Sequence, residues 1–305
     1  MIFAGLKFFG PVPTTVIRVT GEDAFTFLQG QFTNELRQPI GSATYGLWLD
    51  QKGKVLADSH VLRVSENEFL LVSAYSAAPL VQQRLESYVV ADDVTLVDES
   101  AKTAGLVLLG EHAGDAIEKI IGGRPTAKKF SFGAETIAFL GRRAGAENFE
   151  VVGAARALQE IQKQLRAMGG EAISADELES GRIAAGIPRI PVDVGPGDLP
   201  NEAGLEDFAI SYTKGCYLGQ EVMARLKNLG KVRRRLHVVR GPGKPPATGA
   251  ALFQGEKKVG EIRSSAPRGN EFIALAMLSL INFQPRTGLS LAPAEPATMT
   301  AESHG

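Results

Sequence analysis

Residues 214–221 read Lys-Gly-Cys-Tyr-Leu-Gly-Gln-Glu, and they hold the single cysteine of the chain between two glycines, ahead of a predicted helix. The thiolate is the reactive form of cysteine, and a helix N-terminus or a neighbouring cation favours that form. Lys214 and Arg225 supply such cations close to Cys216 in the sequence. A lone cysteine is also commonly a small buried apolar residue. Two interpretations of Cys216 therefore stay open, a reactive thiolate and a core side chain.

The composition is typical of a globular protein that has no general attraction to nucleic acid or membranes. The chain has 305 residues, 44% of them hydrophobic, and a formal net charge of −1. One cysteine excludes an internal disulfide and a four-thiolate metal site, and the four histidines are widely separated, so we expect no intrinsic metal site. The sequence shows no signal peptide and no apolar run long enough to span a bilayer. This pattern predicts a cytoplasmic protein with no membrane contact.

Short apolar or alternating runs and a few amphipathic segments predict an α+β fold. The predicted strands cover residues 14–19, 45–49, 54–64, 69–72, 103–109, 136–140 and 149–152. The predicted helices cover residues 22–29, 79–89, 113–121, 154–168 and 175–185. Ser174 and Glu177 have the spacing of a capping box at the start of the last helix. The proline-rich residues 190–200 predict an irregular loop. Three further predicted strands, at 250–253, 257–264 and 272–281, indicate an all-β C-terminal domain.

Several other motifs accompany residues 214–221 in a fixed order. They are Phe27-Leu28-Gln29-Gly30-Gln31-Phe32-Thr33-Asn34, Asp50-Gln51-Lys52-Gly53-Lys54-Val55-Leu56-Ala57-Asp58, Arg182-Ile183-Ala184-Ala185-Gly186-Ile187-Pro188, Leu199-Pro200-Asn201-Glu202-Ala203-Gly204-Leu205 and Gly260-Glu261-Ile262-Arg263-Ser264-Ser265. As an ordered set, over roughly residues 10–280, they resemble the YgfZ-type folate-binding proteins, which are relatives of the glycine-cleavage aminomethyltransferase (T-protein).

The resemblance implies an α+β fold arranged as a three-part T-protein-like cloverleaf, with a ferredoxin-like α+β region and a C-terminal β-barrel. Residues 1–232 would form the folate-binding region, with an inserted α+β subdomain at about 46–100. Residues 233–292 would form the barrel. Residues 293–305, rich in alanine, proline, threonine and glutamate, are expected to be a disordered tail.

The same resemblance implies a protein that binds tetrahydrofolate or a derivative and supports iron–sulfur cluster assembly or repair, including the clusters of tRNA-modifying enzymes. Its partners would be iron–sulfur proteins or cluster-assembly factors, and an accessory role is favoured over catalysis. Cys216 would be the essential group. The rest of its motif comprises Lys214, Gly215, Tyr217, Gly219, Gln220 and Glu221.

The folate pocket implied by the resemblance is assigned to Asn34, Asp58, Arg182, Glu202 and Arg225. Glu202 matches a position near the pterin, whose guanidine-like edge suits a carboxylate that accepts two parallel N–H bonds. A structural alternative stays open for each residue. Asp58 could end a strand, Glu202 could cap a loop, Asn34 could close a turn, Arg182 could pair with Glu179, and Arg225 could form a surface pair with Glu221.

A folate-dependent one-carbon transferase, such as an aminomethyltransferase or demethylase, is the alternative function. T-protein-like enzymes carry an acidic residue at the position of Cys216. They also carry an aspartate pair where this chain has Ala57 and Asp58. Both differences argue against transfer chemistry, which needs a well-held carboxylate.

The segment Arg225 to Lys244 is strongly basic, with eight lysine or arginine residues and no aspartate or glutamate. Alternation along a strand predicts that Arg234 lies on one face and that Arg233 and Arg235 lie on the other. The segment could be a solvated strand edge, or it could contact a folate polyglutamate tail or a phosphate backbone. Weak nucleic-acid contact through residues 225–244 is therefore a third hypothesis.

Overall fold

The computed structural model describes residues 3–133, 135–145 and 147–302. The strands are β1 Lys7–Val12, β2 Thr15–Thr20, β3 Ala43–Leu49, β4 Val55–Arg63, β5 Glu68–Ser73, β6 Thr95–Asp98, β7 Ala104–Leu109, β8 Ser131–Gly133, β9 Thr136–Leu140, β10 Asn148–Gly153, β11 Glu171–Ala172, β12 Arg234–Pro242, β13 Ala251–Gln254, β14 Lys257–Arg268, β15 Glu271–Ser279 and β16 Thr300–Glu302. The helices are α1 Ala24–Gln31, α2 Ala78–Glu86, α3 Ala113–Ile121, α4 Ala155–Ala167, α5 Ala175–Ala184, α6 Glu206–Ala209 and α7 Gln220–Leu229, and short 3-10 helices cover Ser100–Lys102 and Pro200–Ala203.

The seven strands and five helices predicted before residue 186 are all present, with bounds that differ by at most three residues. The capping box of α5 is confirmed, because Ser174 Oγ accepts from Glu177 N at 3.2 Å and Glu177 Oε2 accepts from Ser174 N at 2.8 Å. The sequence missed β1, in which Pro11 interrupts the strand pattern. The structure accommodates this proline at a register shift between Phe9 and Val12.

The strands form three sheets. The first has the order β11-β1-β7-β10-β9-β8, the second β3-β4-β5-β2-β6 and the third β13-β14-β15-β12-β16. Helices α3 and α4 contribute to the core of the first sheet, and α1 and α2 to the core of the second. The second sheet takes its strands from residues 15–98, which is an earlier start than the subdomain predicted over 46–100. The reason is that β2 pairs antiparallel with both β5 and β6.

The third sheet includes the end of the described chain. Where composition predicts a disordered tail from residue 293, β16 pairs antiparallel with β12, and the prediction is wrong for residues 300–302. Met299 is 2% exposed in the core of this sheet, and Glu302 forms an ion pair with Arg240. One buried apolar residue is enough to anchor a segment whose overall composition is polar. Residues 303–305 lie outside the described residues.

One hydrophobic core joins the second sheet, α5, α7 and the third sheet. The loop of residues 185–199 runs through it and contributes the fully buried Ile190 and Val194. The irregular loop that the prolines predict over residues 190–200 is present up to residue 199. Leu47 of β3 and Leu275 of β15 belong to the same core. The loop thus connects the α+β part of the molecule to the C-terminal β domain. Among the described residues, none of the helices combines the length and apolar character needed to cross a membrane.

Candidate functional site

Lys214 links the cysteine motif to the C-terminal end of α1 through three hydrogen bonds. Its Nζ donates to the carbonyl oxygens of Gln29, Phe32 and Asn34 at 2.8, 2.7 and 2.9 Å, and the residue is 6% exposed. Carbonyls at the C-terminal end of a helix lack intrahelical donors, so a cation is favoured there. Burial lowers the pKa of Lys214 to about 8, which leaves the ammonium form dominant at neutral pH. Its charge is therefore directed at the end of α1.

Cys216 is exposed, so its interpretation as a core residue is wrong. The two cations expected near the thiol are engaged elsewhere. Lys214 is bound to the end of α1, and Arg225 forms an ion pair with Glu221 on the surface of α7, with 73% of its side chain exposed. What makes Cys216 available for chemistry is therefore its exposure.

The segment after Cys216 is held against α1 and the β3–β4 hairpin. Leu218 N donates to Gly30 O at 3.1 Å. Gly219 has φ +87°, and a Cβ there would lie 2.8 Å from Asp50 O. Only glycine suits a positive φ combined with so close a backbone contact. Helix α7 thus begins directly behind the turn at residues 50–53 that joins β3 to β4.

The remaining motif residues differ in their surroundings. Tyr217 is buried in the central core, where burial raises its pKa and its hydroxyl makes no hydrogen bond to any described residue. Gln220 and Glu221 form the first turn of α7. Gly215 is exposed, and a Cβ there would meet no atom within 4 Å. The close approach that requires glycine is therefore found at Gly219 and is not found at Gly215.

A cavity of about 380 Å³ lies between the second sheet, the end of β9 and α6. A volume of this order suits a small-molecule ligand. Its lining includes Asn34, Tyr45, His60, Lys128, Arg142 and Phe208. A small recess beside it shares Tyr45, His60 and Arg142 and adds Asp58. Tyr45 on β3 lies directly opposite His60 on β4, so strand pairing places both side chains on the cavity face.

Asn34 organises the wall of this cavity. Its Nδ2 donates to the carbonyl oxygens of Tyr45 and Phe208 at 2.8 and 3.0 Å, and its Oδ1 accepts from Glu35 N at 2.9 Å. The backbone oxygen of the same residue accepts from Lys214. Asn34 therefore connects the cysteine motif to both aromatic residues of the cavity.

Asp58 faces the recess from the middle of β4, which continues to Arg63, so the alternative of a strand-end residue is wrong. Its carboxylate accepts from Ser76 Oγ at 2.7 Å and from Tyr45 Oη at 2.9 Å. Burial raises the pKa of Asp58, and these two hydrogen bonds oppose that rise. The carboxyl group is thus held in place and partly desolvated.

Ala57 lies on the other face of β4. It is fully buried in the apolar core of the second sheet, paired across the strands with Trp48. An aspartate there would be buried among apolar side chains, because consecutive strand residues point to opposite faces. The expectation that Ala57 marks a lost carboxylate of the ligand site is therefore wrong, and the residue carries no information about the chemistry of the cavity.

His60 is a cavity residue that motif reasoning missed. Its ring lies 5.1 Å from the ring centroid of Tyr45 and 4.8 Å from that of Phe139. Burial lowers the pKa of His60 to about 4, so the imidazole is neutral at physiological pH. The histidine sits on a strand with no accompanying motif, and only its alternation with apolar neighbours indicates that it shares a face with Asp58.

Arg142 is the second residue that was missed. Its guanidinium carbon lies 4.3 Å from the ring centroid of Tyr45 and 3.8 Å from that of Phe208. Its charge opposes the rise in the pKa of Asp58 that burial causes. The residue follows β9 in a loop of small and basic residues, where no sequence pattern distinguishes it from the adjacent Arg143.

Arg182 lies outside the cavity lining. It is fully buried and pairs with Glu179 at 2.6 Å and Asp193 at 2.8 Å. Asp193 also accepts a hydrogen bond from Ser264 of β14. The alternative that Arg182 pairs with Glu179 is confirmed, and the pair extends into a link between α5, the loop and the third sheet.

Glu202 also lies outside the cavity lining. Its carboxylate accepts from Arg234 Nε at 2.8 Å and from Leu199 N at 2.8 Å, which confirms the alternative of a capping residue. Arg234 donates as well to Asp198 at 2.7 Å. We call these side chains the barrel junction. Its members are Arg182, Asp193, Asp198, Glu202 and Arg234.

The chain matches two known protein domains. Residues 13–214, about two thirds of the chain, match the GCVT N-terminal domain, and residues 233–302 match the CAF17 C-terminal beta-barrel domain. The chain belongs to the GCVT family. The cavity and the cysteine motif up to Lys214 lie within its GCVT domain, whereas Cys216 lies just beyond the matched residues.

Relatives of this GCVT protein carry two different names. The human mitochondrial iron–sulfur cluster assembly factor IBA57 is 28% identical over 292 residues, which cover 86% of this chain and 74% of IBA57. The aminomethyltransferase of Corynebacterium jeikeium is 25% identical over 323 residues, which cover 95% and 81% of the two chains.

The fold has a solved counterpart. The glycine cleavage system aminomethyltransferase T of Bartonella henselae superposes with a TM-score of 0.82 at 20% identity, over 98% of this chain and 86% of that one. The predicted T-protein-like α+β fold with a C-terminal β domain is confirmed.

The basic segment is divided between two surfaces. Arg234 points into the barrel junction, whereas Arg233 and Arg235 line a separate groove of about 850 Å³ beside α7, which confirms the predicted alternation. Lys227 and Lys231 line the same groove. Within the described residues, no three histidine, cysteine, aspartate or glutamate side chains are placed to hold a metal ion.

Proposed function

We propose that this protein binds a reduced folate in the cavity and uses Cys216 in the assembly or repair of iron–sulfur clusters. The placement of the cysteine carries the proposal. Cys216 is exposed on a segment that Lys214 fastens to the backbone of Asn34, and the side chain of Asn34 holds Tyr45 and Phe208 at the cavity. One set of hydrogen bonds therefore connects the cavity to the loop that carries the thiol.

The cavity has the features that a folate needs. Tyr45 and Phe208 line the cavity with aromatic rings, whose centroids lie 6.1 Å apart, and a flat pteridine ring can pack beside them. Asp58 and Arg142 add polar groups at the same place. The ordered motifs shared with folate-binding proteins support the same ligand, and a volume of about 380 Å³ accommodates its ring system.

The cluster role is supported by similarity to IBA57 over 86% of this chain and by the CAF17-type barrel. An exposed thiolate can bind iron, but a cluster commonly takes four such ligands. The chain has one cysteine. Any cluster held at Cys216 would therefore take its other ligands from a second chain or from small thiols. The enzymes served would include those that modify tRNA, as the YgfZ resemblance implies.

A one-carbon transferase is the second candidate, and Asp58 is the observation that favours it. Its buried carboxyl group has a raised pKa and is held by Tyr45 and Ser76. Such a group can take or give a proton at a substrate amine. Ala57 does not argue against this function, because it does not face the cavity. Similarity to aminomethyltransferases over 95% of the chain supports the same candidate.

The first test combines ligand binding with cluster delivery. Wild type, Cys216→Ser and Thr213→Ser would be titrated calorimetrically with 5-formyltetrahydrofolate, and each would be added to a reconstitution of an apo [4Fe–4S] enzyme. Thr213 is exposed on the same loop and serves as the matched control. We expect Cys216→Ser to bind the folate within about twofold of wild type but to lose its effect on the recovery of enzyme activity.

Two results would contradict the proposal. If Cys216→Ser supported recovery as well as Thr213→Ser, the cysteine would have no role in cluster delivery. If wild type catalysed folate-dependent release of a one-carbon unit and Asp58→Asn did not, the transferase would be the function.

A further inference from the structure

Arg142 lies in the cavity wall and forms no salt bridge with a carboxylate of the described residues. Its guanidinium lies against the rings of Tyr45 and Phe208 at 4.3 and 3.8 Å. Its Nη1 is buried and makes no hydrogen bond to a described residue. Contact with an aromatic face stabilises a cation, but it gives a buried N–H group no acceptor. One donor group of Arg142 is therefore unmet in the wall of a ligand-sized space.

Two buried arginines of the same molecule show the contrast. Arg143, the next residue, pairs with Glu150 at 3.2 Å, and Arg182 pairs with Asp193 at 2.8 Å. Both carboxylates lie within the fold, so each cation is neutralised by direct contact. Arg142 makes no salt bridge to a described carboxylate, and Asp58, in the recess beside it, acts on it only through its charge.

Two acceptor side chains beside Arg142 are already engaged. The two carboxylate oxygens of Asp58 accept from Ser76 and Tyr45, and Asn34 Oδ1 accepts from Glu35 N. Buried polar groups in folded proteins nearly always have partners. A ligand in the cavity can supply the acceptor that Arg142 Nη1 lacks.

We propose that Arg142 donates a hydrogen bond to a carbonyl oxygen on the ring system of the cavity's ligand, and that it selects ligands carrying that oxygen. This inference rests on the proposed folate function. The pteridine ring of a folate carries one carbonyl group beside its guanidine-like edge. The guanidinium lies over the faces of Tyr45 and Phe208, so a flat ring that enters the cavity beside these side chains can present its own edge to Arg142. The contact makes Arg142 a specificity-determining residue.

Selectivity follows from the direction of the hydrogen bond, in which Arg142 donates and the ligand must accept. An analogue with an amino group in place of the carbonyl would direct a donor at a donor, and the arginine N–H would stay unpaired. Sites built to hydrogen-bond a ligand group discriminate strongly against analogues that cannot make the bond. A hydrogen bond from a charged donor corresponds to roughly 10- to 100-fold in affinity.

The test uses a pair of ligands that differ at this position. Folic acid carries the ring carbonyl, and its 4-amino analogue aminopterin carries an amino group. Both would be titrated calorimetrically into wild type, Arg142→Met and Lys129→Met. Lys129 is exposed and does not line the cavity, so its variant removes a charge without removing a buried donor.

We expect wild type to bind folic acid roughly 10- to 100-fold more tightly than aminopterin. Arg142→Met should lose most of its affinity for folic acid, which brings the two ligands to within about threefold of each other, and Lys129→Met should keep the wild-type ratio. Equal binding of the two ligands by wild type would overturn the inference without any variant. An unchanged ratio in Arg142→Met would overturn it as well. If wild type bound neither folic acid nor 5-formyltetrahydrofolate, the proposed function itself would fail.

Discussion

The cavity and the barrel junction are both clusters of polar side chains, but they differ in how completely their groups are paired. At the junction, Arg182 pairs with Asp193, and Arg234 pairs with Asp198 and Glu202. At the cavity, Arg142 has a buried N–H without an acceptor, and His60 has its pKa lowered by burial. The comparison teaches that polar groups paired within the fold join domains, whereas a donor left unpaired beside a cavity is a candidate contact for a ligand.

The largest effect is expected at the centre of the junction. Arg182→Met leaves Asp193 buried without its cation, so the free energy of unfolding should fall by about 3–5 kcal/mol in urea denaturation followed by circular dichroism. Lys163→Met removes an exposed pair with Glu160 and should change stability by less than about 1 kcal/mol. Similar losses in the two variants would show that the junction is not a structural clamp.

The second-largest effect is expected in the pH dependence of the free energy of unfolding, to which His60 at the cavity contributes. The folded-state pKa of His60 is about 4, and its unfolded value is about 6.5. The unfolded chain therefore binds more protons between these values, so stability is fully present above about pH 6.5 and falls as the pH approaches 4. The loss should reach roughly 2–3 kcal/mol.

Urea denaturation at pH 7, 6 and 5 would measure this dependence in wild type and in His60→Phe. Phenylalanine keeps the ring contacts with Tyr45 and Phe139 but cannot be protonated. The variant should show a smaller decline, and an identical decline in both proteins would rule His60 out as its source.

Glu202→Gln tests whether the barrel junction contributes to stability alone or also to ligand binding. Arg234 keeps its bond to Asp198, so the free energy of unfolding should fall by only about 1–2 kcal/mol. Affinity for 5-formyltetrahydrofolate should stay within about twofold, because Glu202 does not line the cavity. Glu261→Gln, at an exposed partner of Arg263, is the control. A tenfold loss of folate affinity in Glu202→Gln alone would instead extend the ligand site to the junction, as the family resemblance implies.

The smallest effect is expected on the surface of α7. Arg225 and Glu221 are 73% and 77% exposed, and such pairs contribute little to stability. Arg225→Ala should change the free energy of unfolding by less than about 0.5 kcal/mol and should leave folate affinity unchanged. A clear loss of affinity in titration calorimetry would restore the folate contact that the sequence predicts for Arg225.

The elements around these sites were predictable because each depends on residues close together in the chain. Alternation predicts β3, β4 and the opposite orientations of Arg233 and Arg234. The capping box predicts the start of α5. The ordered motifs were sufficient to identify the T-protein-like fold.

The sites themselves depended on contacts that no local pattern contains. Lys214 binds the carbonyl of Gln29, which lies 185 residues earlier in the chain. Cys216, two residues after the buried Lys214, is exposed, and no local pattern distinguishes the two environments. The cavity brings Tyr45, Arg142 and Phe208 together from three distant segments.

By itself, then, the sequence determined most of the longer helices and strands, the fold family and the motif that holds the cysteine, because periodicity and motif order are properties of the chain. Only the tertiary structure decided that Glu202 and Arg182 join domains while His60 and Arg142 line the cavity. The physical reason is that a polar side chain takes its role from the partners that reach it. Those partners are settled by how the sheets and the loop of residues 185–199 pack together.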